Sequence, residues 1–356
     1  MEHPTKALPS HKEMIRAFMA SDASYDGIFF TAVRTTGIFC QPSCAARKPL
    51  PENVEFFGSV KTALFAGYRA CKRCTPLEPV GHPPEWVARV LARVDNAPDG
   101  RVTAADLRTL GVDPNRARRW FLANYGLTFV AYCRGRRLST AFATIKEGST
   151  IDDAVFDSGY ESHSGFREAF ALAFGTPPGR SAEVSPVLIA WIESPLGPLL
   201  AGASARGVCL LEFTDRRMLE AQLETIRRRF QCALVPGENE HTVRLRAELA
   251  EYFAGERRLF EVPLDYPGTD FQVRVWRELL AIPYGETRSY EALAAAIDVP
   301  RAVRAVGRAN GMNRISILIP CHRVIGKDGT PVGYGGGLWR KRWLLDHERG
   351  GTIGLL

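Results

Sequence analysis

The chain has no long hydrophobic run, because no stretch of its 356 residues approaches the roughly 20 apolar residues of a membrane-spanning helix. Its N-terminus also has no apolar segment like that of a secretory signal peptide. We therefore expect a cytoplasmic protein without a membrane partner. The 46% of hydrophobic and 24% of charged residues are typical of globular proteins, and the length allows two or three ordinary domains.

A strongly basic tail is also absent. The net charge of +7 is spread along the chain, with +3 in residues 1–80, +2 in residues 81–182 and +2 in the remainder. This balance suggests an anionic partner without establishing one. Any binding of nucleic acid must therefore depend on local clusters of basic residues.

Cysteine is sparse, with eight in the chain, and four of these form two tight pairs within the first 80 residues. Cys40 and Cys44 form a C-x3-C pair, and Cys71 and Cys74 form a C-x2-C pair. A secreted disulfide scaffold would be smaller and richer in cysteine. Two thiolate pairs separated by a loop suit a tetrahedral zinc site. The alternative, a redox C-x2-C pair, leaves the other two cysteines unexplained.

Basic residues surround these cysteines and either form a solvated surface or hold phosphates beside the metal. They are Arg34, Arg47, Lys48, Arg69, Lys72 and Arg73.

Breaks rich in Pro and Gly divide the chain near residues 75–84, 175–186 and 266–269. Residues 85–174 have apolar residues at helical spacing. Short apolar runs in residues 187–213 indicate strands, two helices follow at 217–230 and 242–254, and the chain is mostly helical again from residue 270. The pattern predicts a multidomain α+β protein.

The helical middle contains two candidate helix-turn-helix units. In the first, Thr103 caps a helix that runs to Leu110, Gly111 turns the chain, and Asp113-Pro114 begins a second helix that carries Arg116 and Arg119. The second unit has its turn at residues 158–160, followed by a helix that exposes His163, Ser164 and Arg167. Periodicity alone favours the alternative of an ordinary helical bundle.

The C-terminal part begins with a basic helix. We expect Pro300 to occupy its first turn and Gly311 to end it, with Arg301, Arg304 and Arg308 on one face. Small residues between these arginines would allow close approach to a nucleic-acid groove, although a solvated amphipathic helix has the same pattern. Cys321-His322 follows, and a cysteine beside a histidine suggests a thiol–imidazole pair, weakly by itself.

Three family resemblances sharpen these interpretations. Residues 34–40, 52–54 and 69–74 (RTTGIFC, ENV and RACKRC) resemble the zinc-binding domain of the Ada adaptive-response family. The resemblance implies that Cys40 is both a zinc ligand and the acceptor of a methyl group from a DNA phosphotriester. Residues 159–177, from Gly159-Tyr160 to Gly175-Thr176-Pro177, resemble the C-terminal signature of AraC-type activators, which makes Phe166 and Phe170 core residues.

The third resemblance covers residues 187–350. The sequence Pro320-Cys321-His322-Arg323-Val324 and the Tyr334-Gly335-Gly336-Gly337 segment resemble the O6-alkylguanine-DNA alkyltransferases. The three resemblances occur in the order found in complete members of the Ada family.

The resemblance to the alkyltransferases implies a role for each matching position. Cys321 would accept the methyl group, His322 would draw its proton through water, and Glu348 would polarise the histidine. Asn313 would order the active-site segment. Tyr290 and Arg304 would turn the damaged nucleotide out of the stack, Tyr334 would form a pocket wall, and Lys341 would support it.

We therefore expect four units. They are a zinc-bound α/β domain (1–80), an all-α double helix-turn-helix domain (81–182), a ribonuclease H-like α/β subdomain (183–267) and a winged-helix-like alkyltransferase subdomain (268–356).

The expected protein is a single-turnover methyltransferase that repairs O6-methylguanine, O4-methylthymine and methylphosphotriesters. Its methylated Cys40 would activate transcription, with double-stranded DNA and RNA polymerase as partners, one Zn²⁺ and a monomeric state. Two alternatives stay open. In one, the helix-turn-helix region only tethers a repair protein to DNA. In the other, the chain is a zinc-dependent regulator whose C-terminal domain has lost its chemistry, although joint retention of the site residues argues against this.

Overall fold

The structure is a computed structural model that describes residues 8–77, 83–97, 101–174, 176–183, 186–232 and 234–350. Residues 78–82 of the predicted linker, and Gly175 and Ser185 of the second predicted break, lie outside these ranges. Among the helices of the described part, none is both long and apolar enough to cross a membrane.

The first unit is a four-stranded sheet with two helices. Its elements are α1 (His11–Met19), β1 (Phe30–Val33), β2 (Ile38–Cys40), β3 (Val54–Phe57), α2 (Val60–Phe65) and β4 (Arg69–Ala70). The strand order is β3-β1-β2-β4, and β2 and β4 run parallel. Because Phe39 pairs with Ala70 in this register, the two strands end together and bring Cys40 next to Cys71.

Helices alone form the second unit among its described residues. They are α3 (Glu85–Asp95), α4 (Ala104–Thr109), α5 (Pro114–Tyr125), α6 (Phe129–Lys146), α7 (Ile151–Asp157) and α8 (His163–Phe174). Thr103 caps α4 and Asp113 caps α5, which confirms the helix boundaries predicted from their side chains. Gly111 and Gly159 adopt left-handed backbone in the two turns, as a residue without Cβ can do readily.

A second four-stranded sheet begins the third unit. Its elements are β5 (Val187–Ile192), β6 (Leu199–Ser204), β7 (Gly207–Phe213), α9 (Leu219–Phe230), β8 (Leu234–Pro236) and α10 (Glu240–Ala254). The strand order is β7-β6-β5-β8. Strand β7 is buried along its whole length, so both of its faces contribute to packing.

The last unit is mostly helical. Its elements are α11 (Asp270–Leu280), β9 (Arg288–Ser289), α12 (Tyr290–Ala296), α13 (Val303–Gly311), β10 (Val324–Ile325) and α14 (Leu338–Glu348). The prediction that Pro300 occupies the first turn of the arginine helix is wrong, because α13 begins at Val303 after the cap residue Ala302. Arg301 therefore lies in the preceding turn, and only Arg304 and Arg308 belong to the helix.

Hydrophobic contacts join the units. The Trp120 and Trp191 rings lie 5.6 Å apart and pack α5 against the second sheet. Trp339 of α14 packs on a cluster of the first unit that includes Tyr25 and Phe29. The side chain of Trp339 also donates a hydrogen bond to the carbonyl of Ser24, so this contact is specific as well as apolar.

Candidate functional sites

The four N-terminal cysteines converge on one point. Cys40 ends β2, Cys44 lies in the loop that follows, and Cys71 and Cys74 come directly after β4. Their four Sγ atoms all lie within 4.8 Å of one another. A tetrahedral zinc ion with Zn–S bonds of about 2.3 Å would separate its sulfurs by about 3.8 Å, so the cluster fits this ion with little adjustment.

Backbone amides approach two of these sulfurs. The amide of Gln41 donates to Cys74 Sγ at 3.4 Å, and the amide of Arg73 donates to Cys71 Sγ at 3.4 Å. Amide donors stabilise the anionic form of sulfur, which is the form that ligates metal. The donor set of the cluster is therefore suited to zinc-bound thiolates.

The predicted phosphate-binding arginines of this unit are exposed, but they are not equivalent. Arg34 forms an ion pair with Glu55, with 2.7 Å between Nε and Oε1. Arg47 and Arg69 are exposed on the loop and strand that carry the cysteines. Lys48 bonds to the carbonyls of Pro42 and Cys44, so it supports the cysteine loop.

In the helix-turn-helix region, the predicted contact residues lie on the surface. Arg119 and Arg167 are exposed and His163 is half-buried. The guanidinium of Arg116 lies 5.0 Å from the centre of the Trp86 ring, so this exposed arginine also packs on α3. Phe166 and Phe170 are fully buried, which confirms that they are core residues.

Cys321 lies at the bottom of a pocket of about 160 Å³ and is 6% exposed. Tyr290, Asn310, Tyr334 and Arg216 line this pocket. Burial raises the pKa of the Cys321 thiol, while a hydrogen bond from Asn313 and the positive charges of Arg216 and Lys341 oppose this shift. The pocket is therefore a confined space with one thiol and several polar groups.

His322 and Glu348 form a buried pair, with 2.9 Å between Nε2 and Oε1. Burial disfavours the Glu348 carboxylate, yet hydrogen bonds and charge from His322 and Arg323 outweigh it and hold the pKa well below the usual range. An ionised carboxylate only accepts, so His322 Nε2 must carry the proton. The other nitrogen, Nδ1, has no hydrogen-bond partner among the described residues. Because burial lowers the pKa of His322, this neutral ring can accept a proton there.

Asn313 organises the segment that leads to Cys321. Its Nδ2 donates to Cys321 Sγ at 3.2 Å and to the Ile319 carbonyl at 2.8 Å, and its Oδ1 accepts from the amide of Ile315 at 2.9 Å. Ile317, inside this segment, has φ +73°, a conformation that costs free energy for a β-branched residue. The amide of Asn313 therefore ties together a strained turn next to the thiol.

The structure divides the other predicted residues of this unit between the pocket and the surface. Tyr290 and Tyr334 line the pocket, and burial raises the pKa of Tyr290 to about 12. Arg304 and Arg308 are exposed on α13, and Arg301 is exposed in the turn before it. The surface arginines thus lie on or next to the helix whose inner side closes the pocket.

Two buried cations, Arg216 in the pocket wall and Lys341 behind it, act on the charge of the Cys321 thiol. Lys341 is fully buried, and its ammonium donates to the carbonyls of Val324, Val332 and Gly333. The resemblance to the alkyltransferases implies only a supporting role for Lys341, and no pattern in the sequence points to Arg216. Arg216 lies three residues after the end of β7 and at least 74 residues from the rest of the site, so motif spacing could not reveal it. An arginine beside an apolar strand gives no signal of this kind by itself.

Comparison with known families assigns each part of the chain. The metal binding domain of Ada matches residues 13–77, and a helix-turn-helix domain matches residues 107–183. The ribonuclease-like domain of 6-O-methylguanine DNA methyltransferase matches residues 187–266, and the DNA binding domain of that enzyme matches residues 270–350. The multidomain α+β architecture predicted from the sequence is confirmed.

Similar proteins match almost the whole chain. The regulatory protein ada of Salmonella typhimurium is 37% identical over 96% of this chain and 98% of its own length. The bifunctional transcriptional activator/DNA repair enzyme Ada of Escherichia coli is 35% identical over 94% of this chain and 95% of its own length. A methylated-DNA–protein-cysteine methyltransferase of Mycobacterium bovis is 51% identical over 44% of this chain and 90% of its own length.

Proposed function

The chain belongs to the Ada family, and from this premise we propose which residues carry out its repair and regulatory functions. It is a DNA repair protein and transcriptional activator that binds DNA and holds zinc through cysteines. Its enzymatic activity is methyl transfer from methylated DNA to a cysteine of the protein itself.

We assign transfer from O6-methylguanine, and from O4-methylthymine, to Cys321. The observation that carries this assignment is the buried thiol next to the His322–Glu348 pair, whose geometry leaves Nδ1 free to accept a proton. The thiol gives its proton to His322, through a water molecule in our proposal. The sulfur then forms a bond to the methyl carbon, the bond from that carbon to O6 breaks, and its electron pair leaves with guanine. Guanine finally takes the proton from the imidazolium.

The damaged base must leave the duplex before this reaction, because its methyl group is buried in the base stack. We propose that Arg304 fills the gap in the stack while Tyr290 turns the nucleotide toward the pocket. Arg304 is exposed on α13 and Tyr290 lines the pocket next to Gly307 of the same helix. The thioether that forms on Cys321 is a poor leaving group, so each site reacts once.

We assign transfer from DNA methylphosphotriesters to Cys40. Bound zinc keeps the cysteine sulfurs deprotonated, and a thiolate is the nucleophilic form. A methylphosphotriester carries no charge, so it repels the approaching sulfur less than an ordinary phosphate. The exposed Arg47 and Arg69 would hold the flanking phosphates.

We further propose that methylation of Cys40 switches on promoter binding. Four thiolates on Zn²⁺ carry a charge of about −2, and one thioether changes this to about −1. Repulsion of DNA then decreases beside a helix-turn-helix domain that presents Arg119, His163 and Arg167. Contact with RNA polymerase, a monomeric state and a cytoplasmic location stay predictions.

Intact-protein mass spectrometry tests these assignments. The protein is incubated with a duplex that contains O6-methylguanine or with one that contains a methylphosphotriester, and its peptides are mapped. We expect one methyl group on the Cys321 peptide from the first duplex and one on the Cys40 peptide from the second. A methyl group on Cys133, Cys209 or Cys232 would contradict the assignments.

A further inference from the structure

Arg216 reaches the active site from the ribonuclease-like subdomain. It is 8% exposed and lines the pocket of Cys321. Its guanidinium donates to the carbonyl of Asn313 at 3.1 Å and to the carbonyl of Gly311 at 2.7 Å. Gly311 is the last residue of α13, and Asn313 lies in the turn that connects this helix to the strained active-site segment. Arg216 therefore binds the backbone of the residue whose side chain contacts Cys321.

The guanidinium of Arg216 also touches the opposite wall of the pocket. A Cβ atom added to Gly335 would lie 2.4 Å from Arg216 Cζ, closer than any side chain could be. The glycine loop thus packs directly on the cation, and Arg216 spans the space between this loop and the Asn313 turn. One side chain fixes two walls that come from different parts of the sequence.

The ionisable groups around Cys321 differ in how far they stay charged as the pH changes. Glu212 of β7 is fully buried, pairs with Arg216, and accepts from the Ser316 hydroxyl at 3.1 Å. Lys341 of α14 faces the thiol as well, but burial lowers its pKa to about 8. The other titratable groups near the thiol are His322, Tyr290 and Tyr334, which are neutral near pH 7 when their shifts are considered. A guanidinium stays charged under all these conditions.

We propose that Arg216 is a positioning residue for methyl transfer, which holds the Asn313 turn against Cys321 and supplies the lasting positive charge that favours the thiolate. This inference rests on the proposed function of Cys321. It deepens that function by adding a residue from outside the alkyltransferase motif. The purely structural alternative is that the Glu212–Arg216 pair only joins the two subdomains.

The test measures the thiol directly, with the full-length, zinc-loaded protein. The rate at which iodoacetamide alkylates Cys321 is followed against pH by peptide mapping, in parallel with methyl transfer from an O6-methylguanine duplex. The variants are Glu212→Gln, Arg216→Lys, and the double variant Glu212→Gln/Arg216→Met, which leaves no unpaired buried carboxylate. The control is the double variant Asp215→Asn/Arg340→Met. It removes an ion pair that joins the two subdomains, with 2.7 Å between its atoms, and that does not line the pocket.

We expect the double variant at Glu212 and Arg216 to raise the pH midpoint of Cys321 alkylation by about one unit, because loss of the Arg216 charge and of its hold on the Asn313 donor outweighs loss of the Glu212 charge. Methyl transfer at pH 7 then slows about tenfold. Arg216→Lys should keep most of the midpoint, and Glu212→Gln should lower it because an opposing negative charge is lost. The control should keep the wild-type midpoint even if its melting temperature falls.

An unchanged midpoint in the double variant, with only a lower melting temperature, would overturn the proposal. If that variant does not fold, Glu212→Gln decides instead, and an unchanged or raised midpoint there overturns the proposal. The proposed function would be refuted if Cys321 of the wild-type protein is alkylated normally but accepts no methyl group from DNA. In that case the pH midpoints of the variants would still test the role of Arg216.

Discussion

The two proposed methyl-acceptor sites of this protein would make a thiol reactive in different ways. The four cysteines of the Cys40 site lie within residues 40–74, and all of them belong to one small sheet and its loops. The Cys321 site combines residues from the loop after β7, from α12, α13 and α14, and from the segment between α13 and α14. A metal ion concentrates charge at one point and needs few residues, whereas an unassisted thiol needs a network of hydrogen bonds and charges.

This difference predicts how substitutions in the protein affect the two sites. The Cys40 site should depend on its ligands and little on the remainder of the chain. The Cys321 site should respond to changes far away in the sequence, because its pocket walls come from separate subdomains. Three substitution experiments and one comparison of methylated with unmethylated protein can sharpen or break this contrast.

Substitution of the two acceptor cysteines should have the largest effect on methyl transfer. Cys321→Ala should abolish transfer from O6-methylguanine, because no nucleophile remains, and should leave transfer from methylphosphotriesters intact. Cys40→Ala should do the reverse. Mass spectrometry of both variants with both substrates measures this. Loss of both activities in either variant would show that the sites are not independent, and normal repair of O6-methylguanine by Cys321→Ala would refute the assignment of that acceptor.

Substitution of Glu348, whose carboxylate bonds to His322, should have the next largest effect on methyl transfer. Glu348→Gln removes the negative charge that fixes the imidazole tautomer, and we expect transfer to Cys321 to slow about 10²-fold. Single-turnover rates, normalised to the folded fraction, measure this. Tyr252→Phe is the matched control, because it removes a donor to the same carboxylate at 2.9 Å and spares the histidine. Equal loss in both variants would indicate a structural role for Glu348.

Arg304→Ala should have a smaller and more selective effect. We expect about tenfold slower transfer from O6-methylguanine in duplex DNA, because only the duplex must be unstacked, and little change with the free methylated base. Arg308→Ala, another exposed position on α13, is the control for loss of charge. Equal slowing with both substrates would assign Arg304 to folding or chemistry.

The smallest effect concerns the switch. Methylation of Cys40 removes about one negative charge near DNA, which corresponds to about 1 kcal/mol, or roughly fivefold in affinity, at low salt. Promoter affinity of methylated and unmethylated protein, measured at several salt concentrations with zinc quantified, tests this. We expect the difference to shrink as salt rises. Equal affinity throughout would leave repair intact and favour a tether role for the helix-turn-helix region.

Local signals in the sequence were sufficient to predict helix starts at which a neighbouring side chain caps the helix. Thr103 and Asp113 predicted helix starts because their side chains cap free backbone amides close by in the chain. A local signal was misleading at α13, because Pro300 predicted that the helix begins at residue 300. The helix instead begins at Val303, after a turn in which the amide of Ala302 donates to the carbonyl of Val299.

The sequence by itself determined the zinc cysteines and the segment around Cys321. Both are short motifs, which can be recognised without knowing which distant residues they contact. Tertiary structure decided which groups surround the thiol. It brought Glu348 to His322 across 26 residues and Arg216 to the Asn313 carbonyl across 97 residues. Such contacts depend on how sheets and helices pack, and packing constrains shape and burial without leaving a fixed spacing along the chain. The sequence therefore predicts the acceptor that we propose, while the charged groups around its thiol could only be found from the fold.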